Sequence, residues 1–224
     1  MLQTVEQTRP VMHTTADRVL APTDESYAPL KRAFHFFNDK LFASSLPDCL
    51  ITLQRGKSYR GYFSPDRFRH RESKRATDEI AMNPDCFVGR SEKDILSTLV
   101  HEMAHLWQQH FGKPSRTSYH NKEWAAKMDT LGLTPSSTAA PGGKRTGQRV
   151  SHFIVDGGPF DKACTEFLEA GAAGIVWCSM PTVSLGKSGK RAKYTCPDCS
   201  THVWGKSGLS ITCNACACEM SGEA

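Results

Sequence analysis

The chain has 224 residues, 39% hydrophobic and 23% charged, an ordinary globular balance with room for one large domain or two small ones. No stretch approaches the roughly 18 apolar residues of a membrane span, and the opening residues MLQTVEQTRPVMHTTADRV lack the basic-then-apolar order of a secretory leader. This argues against a membrane protein and against classical export, while a formal charge of +5 permits nucleic-acid binding without demanding it.

Residues 1–23 are polar, show no sustained period and read as a flexible N-terminal arm. From Ser26 a helix is predicted, because Leu30, Ala33, Phe34, Phe37 and Leu41 recur at helical spacing up to Leu46-Pro47. Three short extended segments follow, Leu50 to Gln54, Arg60 to Ser64 and Glu79 to Met82, the last stopped by Asn83-Pro84. They suggest a small, mostly antiparallel sheet. Ser91 opens the clearest helix, with Asp94 three residues on in the manner of a capping box. That helix runs to Phe111 and stops at Gly112-Lys113-Pro114. Another is expected from about His120 to Leu131. Residues 135–149 are rich in Pro, Gly, Ser and Thr and read as a linker, dividing a domain at 24–134 from a C-terminal module at 150–224. That module starts with a strand at 150–155 and a helix at 160–168, although this strand-Gly-Gly-Pro-helix order could equally extend the preceding domain. The expected class is α+β.

His101-Glu102-Met103-Ala104-His105 lies on the clearest helix. Four residues apart, the two histidines differ by about 40° around the axis, so both imidazoles can reach one metal. Zinc suits imidazole, and a catalytic zinc takes three protein ligands and leaves a position for water, whose pKa it lowers towards about 7. Glu102, adjacent, can then accept the water's proton, which is the chemistry of amide hydrolysis. For the third ligand, the extension HExxHxxGxxH would need Gly at 108 and His at 111, where the chain has Gln108 and Phe111. His110 points about 140° away from His105. His120, returning on the next helix, is favoured, with Glu123 the main rival.

Of the nine cysteines, five fall in the last 29 residues. Cys196-x2-Cys199-x13-Cys213-x2-Cys216 has the form of two knuckles that close one tetrahedral, structural zinc in a β-rich zinc ribbon, with its core at about 192–220. Cys218 offers a competing fourth sulfur. Paired CxxC motifs without an export signal indicate metal in a reducing cytoplasm. Two Zn2+ ions per chain are therefore expected, one catalytic and one structural.

Two basic runs are candidates for nucleic-acid contacts. One includes Arg55, Lys57, Arg60, Arg67 and Arg69; the other, Lys190, Arg191 and Lys193, leads into Tyr194 and Trp204. Cations neutralise phosphates and exposed aromatics stack on unpaired bases. The opposing reading makes the first run a solvated loop and the two aromatics the core of a tiny ribbon.

Taken together, HEMAHLWQQHF, the fifteen-residue step from His105 to His120-Asn-Lys-Glu-Trp, the Asn-Asp-Lys-Leu-Phe helix, Gly61-Tyr62-Phe63 and Ile80-Ala81-Met82-Asn83-Pro84 resemble the SprT-like zinc metalloprotease family, Spartan-related, over roughly residues 26–133. The resemblance implies a zincin-like domain of helices packed on a small sheet, followed by a zinc ribbon. It implies zinc on His101, His105 and His120, with Glu102 as the catalytic glutamate. It further implies a DNA-dependent zinc metalloendopeptidase that degrades proteins bound or crosslinked to DNA. Asn121-Lys122 stands where the animal members have Gly-Pro. The partners expected are DNA with single-stranded character and DNA-bound protein substrates, without a membrane, in the cytoplasm and on the nucleoid if the source is bacterial. Two alternatives are a nucleic-acid-binding zinc-ribbon protein whose HExxH site is regulatory or inactive, and a zinc peptidase of small substrates indifferent to DNA.

Overall fold

A computed structural model describes residues 21–116, 118–172, 174–180 and 191–223. Residues 1–20 of the expected arm, and Lys190, lie outside them. The chain divides into two compact units at 180/181.

In the first unit, helix α1 (Pro22–Phe42) starts four residues before the predicted Ser26, with a proline at its first turn, where the missing N–H costs nothing. Its face of Leu30, Ala33, Phe34 and Phe37 is buried, as the periodicity required. Strands β1 (Leu50–Leu53), β2 (Gly61–Arg69) and β3 (Ala76–Met82) form a sheet in the order β1-β3-β2. β1 runs parallel to β3, and β2 antiparallel to it. β2, at one edge of the sheet, is longer than predicted, carrying Arg67 and Arg69 on its exposed outer half, where the register with β3 shifts between Ser64 and Phe68.

Helix α2 (Glu92–Phe111) is capped as the sequence indicated: Ser91 Oγ accepts from the Asp94 N–H at 3.1 Å and donates to the Asp94 carboxylate at 2.7 Å. Leu96, Leu99, Val100, Met103 and Leu106 are fully buried against α1 and the sheet. Each such side chain contributes roughly 1.5–3 kcal/mol on burial. This packing fixes the opposite face of α2, where Thr98, His101, Glu102, His105 and Gln109 line a cleft.

Helix α3 (Lys122–Thr130) begins two residues later than expected, because the Asn121 side chain caps it by accepting from the Trp124 N–H at 2.9 Å. β4 (Leu133–Ser136) then pairs antiparallel with β5 (Ser151–Ile154). Helix α4 (Pro159–Glu169) closes the unit.

The expected boundary at 149/150 is displaced. Phe160, Ala163, Cys164 and Phe167 of α4 belong to the same apolar core as α1 and α2, and Phe160 and Phe167 pack against Phe37 at 5.6 and 5.7 Å between ring centroids. Lys93 of α2 pairs with Asp161. Residues 135–149 are not a free linker either. The Ser137 N–H donates to Lys144 O at 2.8 Å, Arg145 pairs with Asp129, and Gly147 exchanges backbone hydrogen bonds with His120 at 2.8 and 3.0 Å. The segment is poor in apolar residues because hydrogen bonds, rather than packing, hold it.

The second unit has a three-stranded antiparallel sheet, β6 (Arg191–Thr195), β7 (His202–Lys206) and β10 (Ser221–Glu223) in the order β10-β6-β7. A two-stranded ladder, β8 (Thr212–Cys213) with β9 (Cys218–Glu219), completes it. Ala192, Tyr194, Cys196, Cys213 and Met220 form its small core. The chain is thus α+β, and its sheets are mostly antiparallel. No helix among the described residues is long and apolar enough to cross a membrane.

Candidate metal centres and cleft

His101 and His105 project from one face of α2 into a cleft of about 980 Å³, and His120 meets them from the residue just before the α3 cap. One ligand-capable nitrogen of each lies within 4.8 Å of the others. The Nε2 atoms of His101 and His120 are 3.3 Å apart. Two nitrogens on a tetrahedral zinc at about 2.0–2.1 Å would be separated by about 3.3–3.4 Å, so the spacing fits the ion.

His120 is fixed by chain that the sequence reading set aside as linker: its backbone bridges Gly147, and its Nδ1 donates to Gly147 O at 3.0 Å. The rival ligand Glu123 is engaged elsewhere, its Oε2 accepting from Gln108 Nε2 at 2.8 Å and from the Lys113 N–H at 2.6 Å. These bonds hold its carboxyl below the usual range. Glu123 therefore ties the turn after α2 to α3 and stays out of the histidine group.

Trp124, fully buried, supports the three imidazoles. It stacks on His105 with 5.0 Å between centroids at 16°, and meets His120 and His101 edge-on at 4.3 and 4.8 Å. Burial pushes the His105 imidazole down to about 3 and lowers those of His101 and His120, so all three are neutral and can donate lone pairs at neutral pH. Glu102 is buried beside them, and burial alone pushes its carboxyl up to about 8. The edge strand presses on it at Gly61, where a Cβ would lie 3.2 Å from the Glu102 carboxylate.

The sequence reading missed His152. From β5 it reaches α2, with its Nδ1 3.1 Å from His101 Nδ1 and its Nε2 2.9 Å from Ser97 Oγ. No spacing rule links residues 51 positions apart.

In the second unit the Sγ atoms of Cys196, Cys199, Cys213 and Cys216 lie within 4.8 Å of one another, and Cys199 and Cys213 are 3.8 Å apart. That equals the separation of about 3.8 Å expected for two thiolates on a tetrahedral zinc with Zn–S about 2.3 Å. Cys218 stands beside the group, 3.5 Å from Cys196. The Thr201 hydroxyl and backbone pull the Cys199 thiol down to about 6, favouring the thiolate a metal needs.

The basic candidates separate by exposure. Arg55, Lys57, Arg60, Arg67 and Arg69 are all exposed, and Arg60 lines the cleft. On the ribbon, Trp204 is 62% exposed and pairs across the ladder with Lys193, next to the Arg191–Lys206 pair. Tyr194 corrects the expectation. It is 3% exposed, donates its hydroxyl proton to Lys206 O at 2.6 Å and accepts from the Leu209 N–H at 2.8 Å. Its ring is core and cannot stack on a base.

The SprT-like family model matches residues 30–141, half of the chain. A protein of Salmonella typhimurium described as an uncharacterized protein in the mucB 3' region is 58% identical over 59 residues, which are 26% of this chain and 80% of that protein.

Proposed function

This chain belongs to the SprT-like family, and on that premise we propose that it is an HExxH-type zinc metalloendopeptidase that cleaves proteins bound or crosslinked to DNA. The observation that carries the reading is the convergence of His101, His105 and His120 beside a buried glutamate in an open cleft. Zinc held by the three histidines supplies Lewis acidity that polarises oxygen and makes water a nucleophile near neutral pH. Glu102 takes the proton of the attacking water and returns it to the amide nitrogen as the C–N bond breaks. Its place beside the three histidines suits both steps, since a carboxylate next to the metal position can accept the proton of a bound water and pass it on. Edge strand β2 walls the cleft through Tyr62 and Phe63, leaving room for an extended polypeptide.

DNA with single-stranded character is the proposed second partner. It is supported by the exposed cations around β2 and by the ribbon face of Arg191, Lys193, Trp204 and Lys206, where a free indole stands among cations. The four-cysteine group holds that face together as a structural zinc site, and such a metal contributes about 10–16 kcal/mol to folding in comparable modules.

The test is proteolysis of a basic DNA-binding protein, and of the chain itself, with and without single-stranded DNA. Glu102→Gln and a zinc chelator serve as controls. Fragments that require DNA, Glu102 and metal together are expected. No fragments under any condition, from protein holding about two zincs per chain, would transfer the reading to a nucleic-acid-binding protein with an inactive HExxH site.

A further inference from the structure

His101 sits between two other histidines, and the hydrogen bonds around it run in one direction only. Ser97 Oγ donates to the Asp94 carbonyl at 2.8 Å, an oxygen that can only accept. With its single proton so used, the hydroxyl must accept from His152 Nε2, 2.9 Å away, so that nitrogen carries the hydrogen. A neutral imidazole has one N–H, which leaves His152 Nδ1 bare, an acceptor for His101 Nδ1–H at 3.1 Å. The remaining nitrogen of His101, Nε2, is then a lone pair directed at His120. On the far side, His120 Nδ1 spends its proton on Gly147 O at 3.0 Å, so its Nε2 is bare as well. Two lone pairs thus face each other across 3.3 Å, an arrangement that repels unless a cation lies between them.

We propose that His152, anchored by Ser97, is a positioning residue that locks His101 in the tautomer presenting Nε2 to the metal. This rests on the reading of His101, His105 and His120 as a zinc site. His152 acts on the outer edge of the His101 ring, opposite the converging nitrogens, and is no ligand itself. A partner of this kind fixes both the tautomer and the ring orientation of a ligating histidine, and its loss typically weakens metal binding 10–100-fold. The same chain of bonds gives β5 a reason to be built into the metalloprotease unit.

Zinc content and affinity would be measured on the full chain by competition with a chromophoric chelator, for wild type, His105→Ala, His152→Leu, His152→Gln and Ser97→Ala. Wild type should hold one zinc more than His105→Ala, which keeps only the ribbon ion. His152→Leu should lose affinity at the histidine site by about 10–100-fold with the ribbon ion untouched. His152→Gln should recover most of it, because an amide can accept through Oε1 and donate through Nε2 as the imidazole does. Ser97→Ala should fall between. Wild-type affinity in a folded His152→Leu would overturn the proposal. So would an imidazole nitrogen NMR spectrum of the zinc-loaded wild type showing His152 protonated on Nδ1, a measurement independent of how any variant folds. Equal zinc in wild type and His105→Ala would instead overturn the metal reading itself, and the role of His152 with it.

Discussion

Gly61 faces Glu102 with no room for a side chain between them. A Cβ at Gly61 would lie 3.2 Å from Glu102 Oε1 and 2.9 Å from the Ala81 carbonyl oxygen. The backbone oxygen cannot move without disturbing the β2–β3 ladder, in which Gly61 pairs with Met82 and Tyr62 with Ala81. Relief must therefore come from β2 or from the carboxylate. Gly61→Ala is expected to destabilise the first unit by about 1–3 kcal/mol, the usual cost of overpacking. It should also lower turnover by up to about 100-fold through displacement of the proton acceptor. Zinc content should be unchanged, since no histidine is touched. Thermal unfolding, metal analysis and proteolysis on one preparation separate the three effects, and full activity in the variant would contradict the contact.

A chain ending at residue 149 should not fold, whereas one ending at residue 180 should. The shorter chain loses β5 with His152 and the five core residues Val150, Phe160, Ala163, Cys164 and Phe167. Removing a single buried Phe typically costs about 3–5 kcal/mol, against a total domain stability of about 5–15. Far-UV circular dichroism of the two truncations decides the matter. A cooperative melt in the chain ending at 149 would restore the linker reading of residues 135–149.

The contrast shows which features a sequence makes legible. The cap of α2, the His101–His105 pair and the CxxC knuckles are all encoded within a few residues, where helical or turn geometry converts spacing directly into position. Gly147 holds His120 from 27 residues away and His152 holds His101 from 51, and such distances in sequence carry no period. The segment 135–149 misled because Pro, Gly and Ser mark both free linkers and loops pinned by backbone hydrogen bonds. Tyr194 was ambiguous for another reason. An aromatic beside cations serves equally well as ribbon core or stacking platform, and only its alternation with Arg191 and Lys193, which sets it beside Ala192 on the inner face of β6, decides.

That alternation yields a paired test. Trp204→Ala should weaken single-stranded DNA binding by the worth of one stacked base, about 1–3 kcal/mol, with little effect on ribbon folding. Tyr194→Phe removes the hydroxyl bridging Lys206 O and the Leu209 N–H, and should destabilise the ribbon by about 1–3 kcal/mol. Fluorescence anisotropy with a labelled oligonucleotide and hydrogen exchange of β6 read the two effects. Equal DNA affinity in Trp204→Ala and wild type would remove the ribbon from the proposed DNA surface.

The buried histidines and Glu102 set opposite pH dependences on the metal-free protein. Burial lowers His101 and His120, takes His105 to about 3 and, with Arg60 and Arg90 nearby, takes His152 to about 4. Below about pH 6.5 the unfolded chain binds protons that the folded one refuses, so stability falls as pH drops towards about 3–4. Glu102 is raised to about 8, so between about 4.5 and 8 the folded state keeps a proton that the unfolded state releases. Its contribution is fully present below about pH 4.5 and is lost as pH rises through 8. The sum is a steep acid limb and a shallow alkaline one, with greatest stability at about pH 7, where the four unfolded-state histidines together bind the one proton that Glu102 releases. Urea unfolding of chelator-treated protein, followed by circular dichroism at the helical bands, tests this, since the described helices belong to the first unit. Glu102→Gln should flatten the alkaline limb by about 1.4 kcal/mol per pH unit, the slope of one proton. It should leave the acid limb below pH 4.5 in place. An alkaline limb that survives the substitution would show that some other group carries it.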